Sequence, residues 1–251
     1  MTLEVTVGGG VAWLRLNRPE QRNAISQAMR ADLDQALADI DRDQDVRVVV
    51  LTGSGSAFCA GADLKESVEG SSGNALTSKP VTQSLDRVGK PVIVAVNGAA
   101  VGGGLELALA GDIRIASDTA TFALPEVKIG SLPGSGGTQR LVRAVSPALA
   151  AKMILTGQTI DAATALEAGL VSDVVARADL DALAAGIAET VAANAPLSLG
   201  AAKIALRAAL GAGSSGTELE RALWRFLSGT ADREEGRSAF RERRPPRFSG
   251  S

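Results

Sequence analysis

The chain has 251 residues, 45% of them hydrophobic, and its 26 basic and 28 acidic side chains leave a net charge of −2. That near balance argues against nucleic acid or an anionic membrane as the main partner. Histidine and tyrosine are absent and Cys59 is the single cysteine, which excludes Ser-His-Asp and Cys-His nucleophile systems, His-based metal sites and an internal disulfide, and fits a reducing compartment.

Leu3 to Val7 and Val11 to Leu16 flank Gly8-Gly9-Gly10 and predict a hairpin. Ser26 reads as the N-cap of a helix from Gln27 to about Arg42. A strand over Val46 to Leu51 then leads into the loop Phe58-Cys59-Ala60-Gly61-Ala62-Asp63-Leu64-Lys65-Glu66, whose small residues permit close backbone approach. Asp63 also suits a local cap for the segment beginning at Leu64, and Cys59 reads as a small buried residue rather than a reactive thiol. The stretch from Glu66 to Val88, with Gly70-Ser71-Ser72-Gly73, reads as mobile.

A strand over Val92 to Val96 precedes the most informative segment. There a triple glycine, Gly102 to Gly104, stands immediately before a short apolar helical run, with Glu106 in its first turn and Glu126 further on. Glycines let the backbone approach a ligand, and the first N–H groups of a helix have no internal partner. The peptide dipoles add positive charge there, so an oxygen gaining negative charge is stabilised between two acids, with Gly103 as the favoured donor. On this segment alone, glycines for packing and a dipole-favoured Glu106 remain an equal reading. A strand over Ile113 to Ala116 follows, with Asp112 at its entrance read as structural, and Leu132-Pro133-Gly134-Ser135-Gly136-Gly137 turns into a helix starting near Gly137. Strands and helices alternating in this order predict an α/β layer fold with parallel strands.

From about Pro147 the pattern is helical: Ala148 to Thr156, Leu180 to Ala193, Leu197 to Leu210, Glu218 to Ser228 and Arg233 to Arg241, with a break at Gly211 to Gly216. Leu219, Leu223, Phe226 and Leu227 recur at helical spacing and must bury against something. Arg237, Arg241, Arg243, Arg244 and Arg247, with Pro245 and Pro246 among them, read as a solvated tail. Met1 to Val7 lacks the basic and apolar regions of a signal peptide and no apolar run is long enough to span a bilayer, so a cytoplasmic location is expected.

Several motifs stand in one order along nearly the whole chain. They are Leu16-Asn17-Arg18-Pro19 with Asn23-Ala24, FCAGADLKE at 58–66, KPVIVAVNG at 90–98, VGGGLELALAGD at 101–112, LPEVKIG at 124–130, LPGSGGTQRL at 132–141, and Ala168-Gly169-Leu170-Val171. In these the sequence resembles the crotonase superfamily, the enoyl-CoA hydratase/isomerase proteins. The resemblance implies a crotonase-like fold: repeated ββα units forming a spiral core over residues 1–195 with the active site, then a C-terminal helical trimerisation region over 196–251. A homo-trimer or homo-hexamer is implied with it, and basic residues of the terminal helix could approach the phosphates of coenzyme A.

The implied reaction is addition of water across the C2=C3 double bond of a 2-enoyl-CoA thioester. By resemblance, the N–H groups of Ala60 and Gly103 polarise the thioester carbonyl, Glu106 helps activate the water, Glu126 exchanges a proton at C2, and the N–H of Gly134 also holds the water; a plain turn is the other reading of Gly134. Ala60, Gly61, Ala62, Asp63 and Leu64 line the path of coenzyme A, which is part of the substrate, so no separate cofactor or metal is expected. Two carboxylates sharing one water in a dry pocket behave as one coupled acid/base unit. One departure stands out: many hydratases have Gln two positions before the second glutamate, and this chain has Leu124.

Two alternatives accompany this reading. A Δ3-Δ2 enoyl-CoA isomerase keeps the fold but needs one carboxylate, and the pair argues against it. GADLKE and GGGLELALA also resemble a methylglutaconyl-CoA hydratase that binds AU-rich RNA, but the helix from Gln27 to Arg42 sets Asp32, Asp34, Asp39 and Asp41 against Arg30 and Arg42, the wrong balance for a phosphate-binding stripe. The acyl chain and the pathway, whether fatty-acid β-oxidation, branched amino-acid breakdown or a secondary route, are not set by these motifs.

Overall fold

The computed structural model describes residues 2–63, 66, 80–210, 226 and 230–251, without the side chains of residues 233, 237, 240 and 241. Leu64, the Gly211 to Gly216 break, almost all of the Glu218 to Ser228 helix and much of Glu66 to Val88 lie outside the described residues.

A six-stranded sheet forms the frame, in the order β1 (Leu3–Gly8), β2 (Val11–Leu16), β3 (Val48–Gly53), β5 (Val92–Val96), β7 (Ile113–Ser117), β10 (Asp173–Val175). The β1–β2 hairpin is antiparallel and every later pairing is parallel. The parallel strands read as unbroken apolar runs because both faces are covered. Val49, Leu51, Val92, Val94 and Val96 face one core with helix α1 (Gln27–Arg42), through Met29, Leu33, Leu37 and Ile40. Val48, Val50, Ile93, Ala95 and Ile115 face the other side with Leu180, Ala184 and Ala188 of helix α7 (Leu180–Ala192). Ser26 caps α1 as expected, its hydroxyl accepting from the Met29 N–H, a bond of a kind that contributes about 1 kcal/mol.

The second sheet is the one that builds the site. Its order is β4 (Ala57–Cys59), β6 (Ala99–Val101), β8 (Thr121–Ala123), β9 (Thr159–Asp161), with β4, β6 and β8 mutually parallel and β9 antiparallel to β8. Each strand has only three residues, too few for alternation to show in sequence. The pairings Cys59 with Ala100 and Val101 with Ala123 bring three C-terminal strand ends to one edge. The loops that leave this edge begin at Ala60, Gly102 and Leu124, so the topology gathers the three motif segments.

Three expectations are corrected. The strand expected over Val46 to Leu51 runs Val48–Gly53, because the parallel ladder to β2 opens at Val11 opposite Val48. The region after Pro147 is not wholly helical: helices α5 (Pro147–Thr156) and α6 (Ala162–Glu167) are followed by α7, α8 (Pro196–Ala209) and α9 (Ala231–Glu242), but β9 and β10 interrupt them. The C-terminal segment also folds back rather than trailing as a solvated tail. Arg244 pairs with Glu235 and Glu242, and the Ser249 and Gly250 N–H groups donate to Asp232. Asp112 has the structural part expected of it, accepting from the Val92 N–H and pairing with the buried Lys203 of α8 at 2.8 Å. Among the described residues no single helix is long and apolar enough to cross a membrane.

Candidate active site

The Ala60–Asp63 loop is held by the Asn-Arg-Pro motif. Arg18 Nη1 donates to Asp63 Oδ2 at 3.0 Å and to the Ala24 carbonyl at 2.7 Å, while the buried Asn23 amide bridges the Ser54 and Ala57 carbonyls. Asp63 is therefore tied to Arg18, and it also donates its own N–H to the Ile25 carbonyl. Cys59 is fully buried and burial pushes its thiol up to about 12, so it takes no part as a nucleophile.

The Ala60 N–H donates to the Arg22 carbonyl at 3.0 Å, so this expected oxyanion donor is already occupied. Two residues on, the geometry differs. Ile25 forms a parallel bridge to Ala62 in which the Ile25 N–H donates to the Gly61 carbonyl and the Asp63 N–H to the Ile25 carbonyl. That pattern turns the N–H of Ala62 itself to the opposite side. There it faces the glycine turn: the Cβ position of Gly103 lies 3.8 Å from the Ala62 nitrogen, and that of Gly61 3.3 Å from the Gly103 nitrogen. Among the described residues neither the Ala62 nor the Gly103 N–H has a protein acceptor.

Gly102 caps helix α3 (Gly103–Ala110) at φ 54°, ψ −124°, and its N–H donates to the Ala123 carbonyl at the end of β8. This backbone conformation belongs to glycine. A Cβ on Gly102 would also stand 3.1 Å from Glu126 Oε1, so the turn and the second carboxylate are in contact.

Glu106, 3% exposed in the first turn of α3, is held by backbone rather than by side chains. Its Oε1 accepts from the Ser135 N–H at 2.6 Å and the Gly137 N–H at 2.9 Å, at the start of helix α4 (Gly137–Ala144). Bonds to an ionised acceptor contribute roughly 1.5–3 kcal/mol each, which offsets the burial of charge. Gly134, the residue singled out from sequence in this loop, donates to no protein acceptor among the described residues. Ser135 and Gly137 were missed, although a GSGG run opening a helix is the pattern of a nest of N–H donors.

Glu126 opens a 3-10 turn over Glu126–Ile129. It is half-buried, its Oε2 has no hydrogen-bond partner among the described residues, and its carboxyl is raised above the usual range, first by burial and also by the charge of Glu106, against a lowering from its own backbone N–H. Leu124, just before it, is fully buried. The site thus combines two free N–H donors from neighbouring loops, one carboxylate locked by backbone and one with a bare oxygen. Leu64 lies outside the described residues, and Ala60, Gly61 and Ala62 follow the C-terminal end of β4, at the edge from which the other site segments leave.

The model of the enoyl-CoA hydratase/isomerase family matches residues 6–251. Among similar proteins, the (E)-benzylidenesuccinyl-CoA hydratase of Thauera aromatica is 46% identical over 259 residues, covering 100% of both chains. The 2,3-dehydroadipyl-CoA hydratase of Escherichia coli is 43% identical, covering 96% of this chain and 95% of its own. The crystal structure of an enoyl-CoA hydratase from Bacillus anthracis superposes with a TM-score of 0.94 at 37% identity, covering 100% of both chains. The fold is thus the crotonase-like α/β fold, and the chain belongs to the enoyl-CoA hydratase/isomerase family, as an enzyme of the hydratase kind.

Proposed function

We propose that the protein adds water across the C2=C3 double bond of a 2-enoyl-CoA thioester to give the 3-hydroxyacyl-CoA. The observation that carries this reading is the pair of N–H donors, Ala62 and Gly103, unengaged among the described residues, beside two carboxylates of which one has a buried oxygen with no partner among them. The N–H of Ala62 replaces that of Ala60 in the oxyanion hole, because the latter is bonded to Arg22. Negative charge developing on the thioester oxygen then meets two fixed donors, each of which contributes roughly a hundredfold to a thousandfold in comparable sites.

In the proposed step Glu106 uses its Oε2 to draw on the water, since Oε1 is taken by Ser135 and Gly137. The hydroxide part bonds to C3, and the electrons of the double bond shift toward the thioester carbonyl. Glu126, whose raised carboxyl suits holding a proton, delivers one at C2 and recovers it from the water by way of the pair. The free N–H of Gly134 supplies a further donor for the water. The 60–64 loop lines the coenzyme A path. The region from residue 196 joins subunits into a trimer or hexamer, to be read by sedimentation, and the protein works in the cytoplasm.

The test is loss of the conjugated enoyl-thioester absorbance with crotonyl-CoA, a medium-chain and a methyl-branched enoyl-CoA, and the two substrates in the relatives' names. Hydration of any of these, abolished by Glu106→Ala and by Glu126→Ala in folded protein, supports the reading. Full rate in either variant removes the assigned role. Isomerisation of a 3-enoyl-CoA that survives Glu106→Ala would put the isomerase in its place.

A further inference from the structure

The carboxylate of Glu106 is only as well aimed as the loop that holds it, since its partners among the described residues are two backbone N–H groups of one segment. That segment, Gly134-Ser135-Gly136-Gly137, is three-quarters glycine and by itself has little reason to keep one shape. It is braced from outside. The Ser135 carbonyl accepts from Arg140 Nη1 at 2.8 Å and has the Thr82 hydroxyl 3.1 Å away, and the Ser135 hydroxyl accepts from the Val81 N–H at 3.1 Å. Arg140 is anchored in turn by Asp86, whose Oδ1 is 2.7 Å from Nη2. Thr82 and Asp86 belong to helix α2 (Gln83–Arg87) and its N-cap, remote in sequence from the loop.

Gly136 fits this arrangement closely. It lies at φ 95°, and a Cβ there would come within 2.2 Å of Arg140 Nη1. Any side chain at this position would push the guanidinium off the Ser135 carbonyl.

We propose that Arg140, braced by Asp86, is the positioning residue for Glu106: it holds the Ser135 carbonyl and thereby fixes the peptide units whose N–H groups orient the carboxylate. The inference rests on the reading of Glu106 as the residue that activates water. A planar guanidinium reaches the carbonyl and the carboxylate together, and the point charge of a lysine does not. As a partly exposed pair, Arg140–Asp86 is a weak stabiliser of the fold. Its effect falls on geometry, where misplacement of a reacting group by about 1 Å lowers a rate by about a hundredfold. Arg140 and Gly136 also line an open groove of about 730 Å³, which gives small solutes access to the guanidinium.

The experiment compares wild type, Arg140→Ala, Arg140→Lys, Glu106→Gln and the double variant Arg140→Ala/Glu106→Gln. Folding is checked by circular dichroism, and Arg140→Gln replaces Arg140→Ala if the latter does not fold. Arg140→Ala is expected to lower kcat about 10- to 100-fold with KM within about threefold. Ethylguanidinium is expected to recover about fivefold or more of the loss, and Arg140→Lys to recover little. In the Glu106→Gln background the added Arg140→Ala change should lower the rate by less than about twofold, because the residue acts through Glu106. An unchanged kcat in folded Arg140→Ala, or a full multiplicative loss in the double variant, overturns the proposal. Hydrogen–deuterium exchange over residues 132–141 separates the two readings: a wild type that hydrates nothing ends the hydratase assignment. Whether or not it does, Ser135 and Gly137 amides that exchange no faster in Arg140→Ala than in wild type end the brace.

Discussion

Glu106 and Glu126 are the same side chain in the segments that follow two neighbouring parallel strands, yet their surroundings are opposite. Glu106 is 3% exposed, and one oxygen is fixed by two backbone N–H donors. Glu126 is half-buried with an oxygen that nothing bonds among the described residues, and burial and the charge of Glu106 raise its carboxyl. The difference comes from the backbone: the helix start after Gly136 supplies donors to one acid, and the 3-10 turn after Pro125 aims none at the free oxygen of the other. Identical side chains are thereby divided into a fixed group and one with a raised carboxyl, the division that suits the proton exchange proposed for Glu126.

The comparison predicts opposite effects on activity and stability at Glu126. Glu126→Gln should lower the hydration rate by about 10²–10⁴-fold. The same change should stabilise the fold at high pH. Because the folded protein binds the Glu126 proton more tightly than the unfolded chain does, its stability is present below the ordinary carboxylate range and is lost as pH rises through the raised value. Gln carries no such loss. The variant should melt about 1–3 °C above wild type at pH 8, with the gap closing by about pH 4. A wild type that melts higher than the variant at pH 8 would contradict the environment described for Glu126.

Gly137→Ala attacks the other side of the comparison. The added Cβ would stand 3.0 Å from Glu106 Oε1 and 2.8 Å from the Pro133 Cβ, so the helix start must move and take its N–H donor with it. We expect kcat to fall about a hundredfold with KM for the thioester nearly unchanged. A loss confined to KM would show that the backbone donors serve substrate binding instead.

What the sequence made legible follows the two sheets. Val48 to Leu51 and Val92 to Val96 are long apolar runs buried on both faces, and their identity as parallel strands is plain from composition. The strands that carry the site, Ala57–Cys59, Ala99–Val101 and Thr121–Ala123, have three residues each and no readable period. The two glutamates and Gly103 stand out in the glycine-helix segment itself, the resemblance to a family decides for them against a plain packing role, and the structure brings their segments to one edge. The Arg22 acceptor that occupies Ala60, and the Ser135 and Gly137 donors, depend on which way individual peptide units face. Residue types and spacings do not encode that orientation; it goes with the left-handed backbone of Arg22 and Asn23, at φ 50° and 56°, in the first case and with Gly136 at φ 95° in the second.

A smaller effect is expected at the turn that touches Glu126. Gly102→Ala places a side chain at φ 54° and 3.1 Å from Oε1, a strain of about 1–3 kcal/mol. Relaxing it displaces the carboxyl or the adjacent Gly103 donor, and we expect a loss in kcat of about tenfold together with a lower melting temperature. A melting temperature equal to wild type would show that the turn does not hold this conformation.

The smallest effect should come from Leu124→Gln, which restores the residue many hydratases carry. If Glu106 depended on a side-chain donor for its aim, the amide would raise the rate substantially. Here Oε1 already accepts two N–H groups, and Oε2 is the oxygen left for water. An amide donating to Oε2 competes with that water, and one that finds no partner in a fully buried position lowers stability by about 1–3 kcal/mol. The expected outcome is a kcat within about threefold of wild type and a melting temperature a few degrees lower. A tenfold or larger gain in kcat would mean that the backbone loop alone leaves Glu106 poorly aimed, and the contrast between a fixed and a bare carboxylate would have to be redrawn with both acids under-supported.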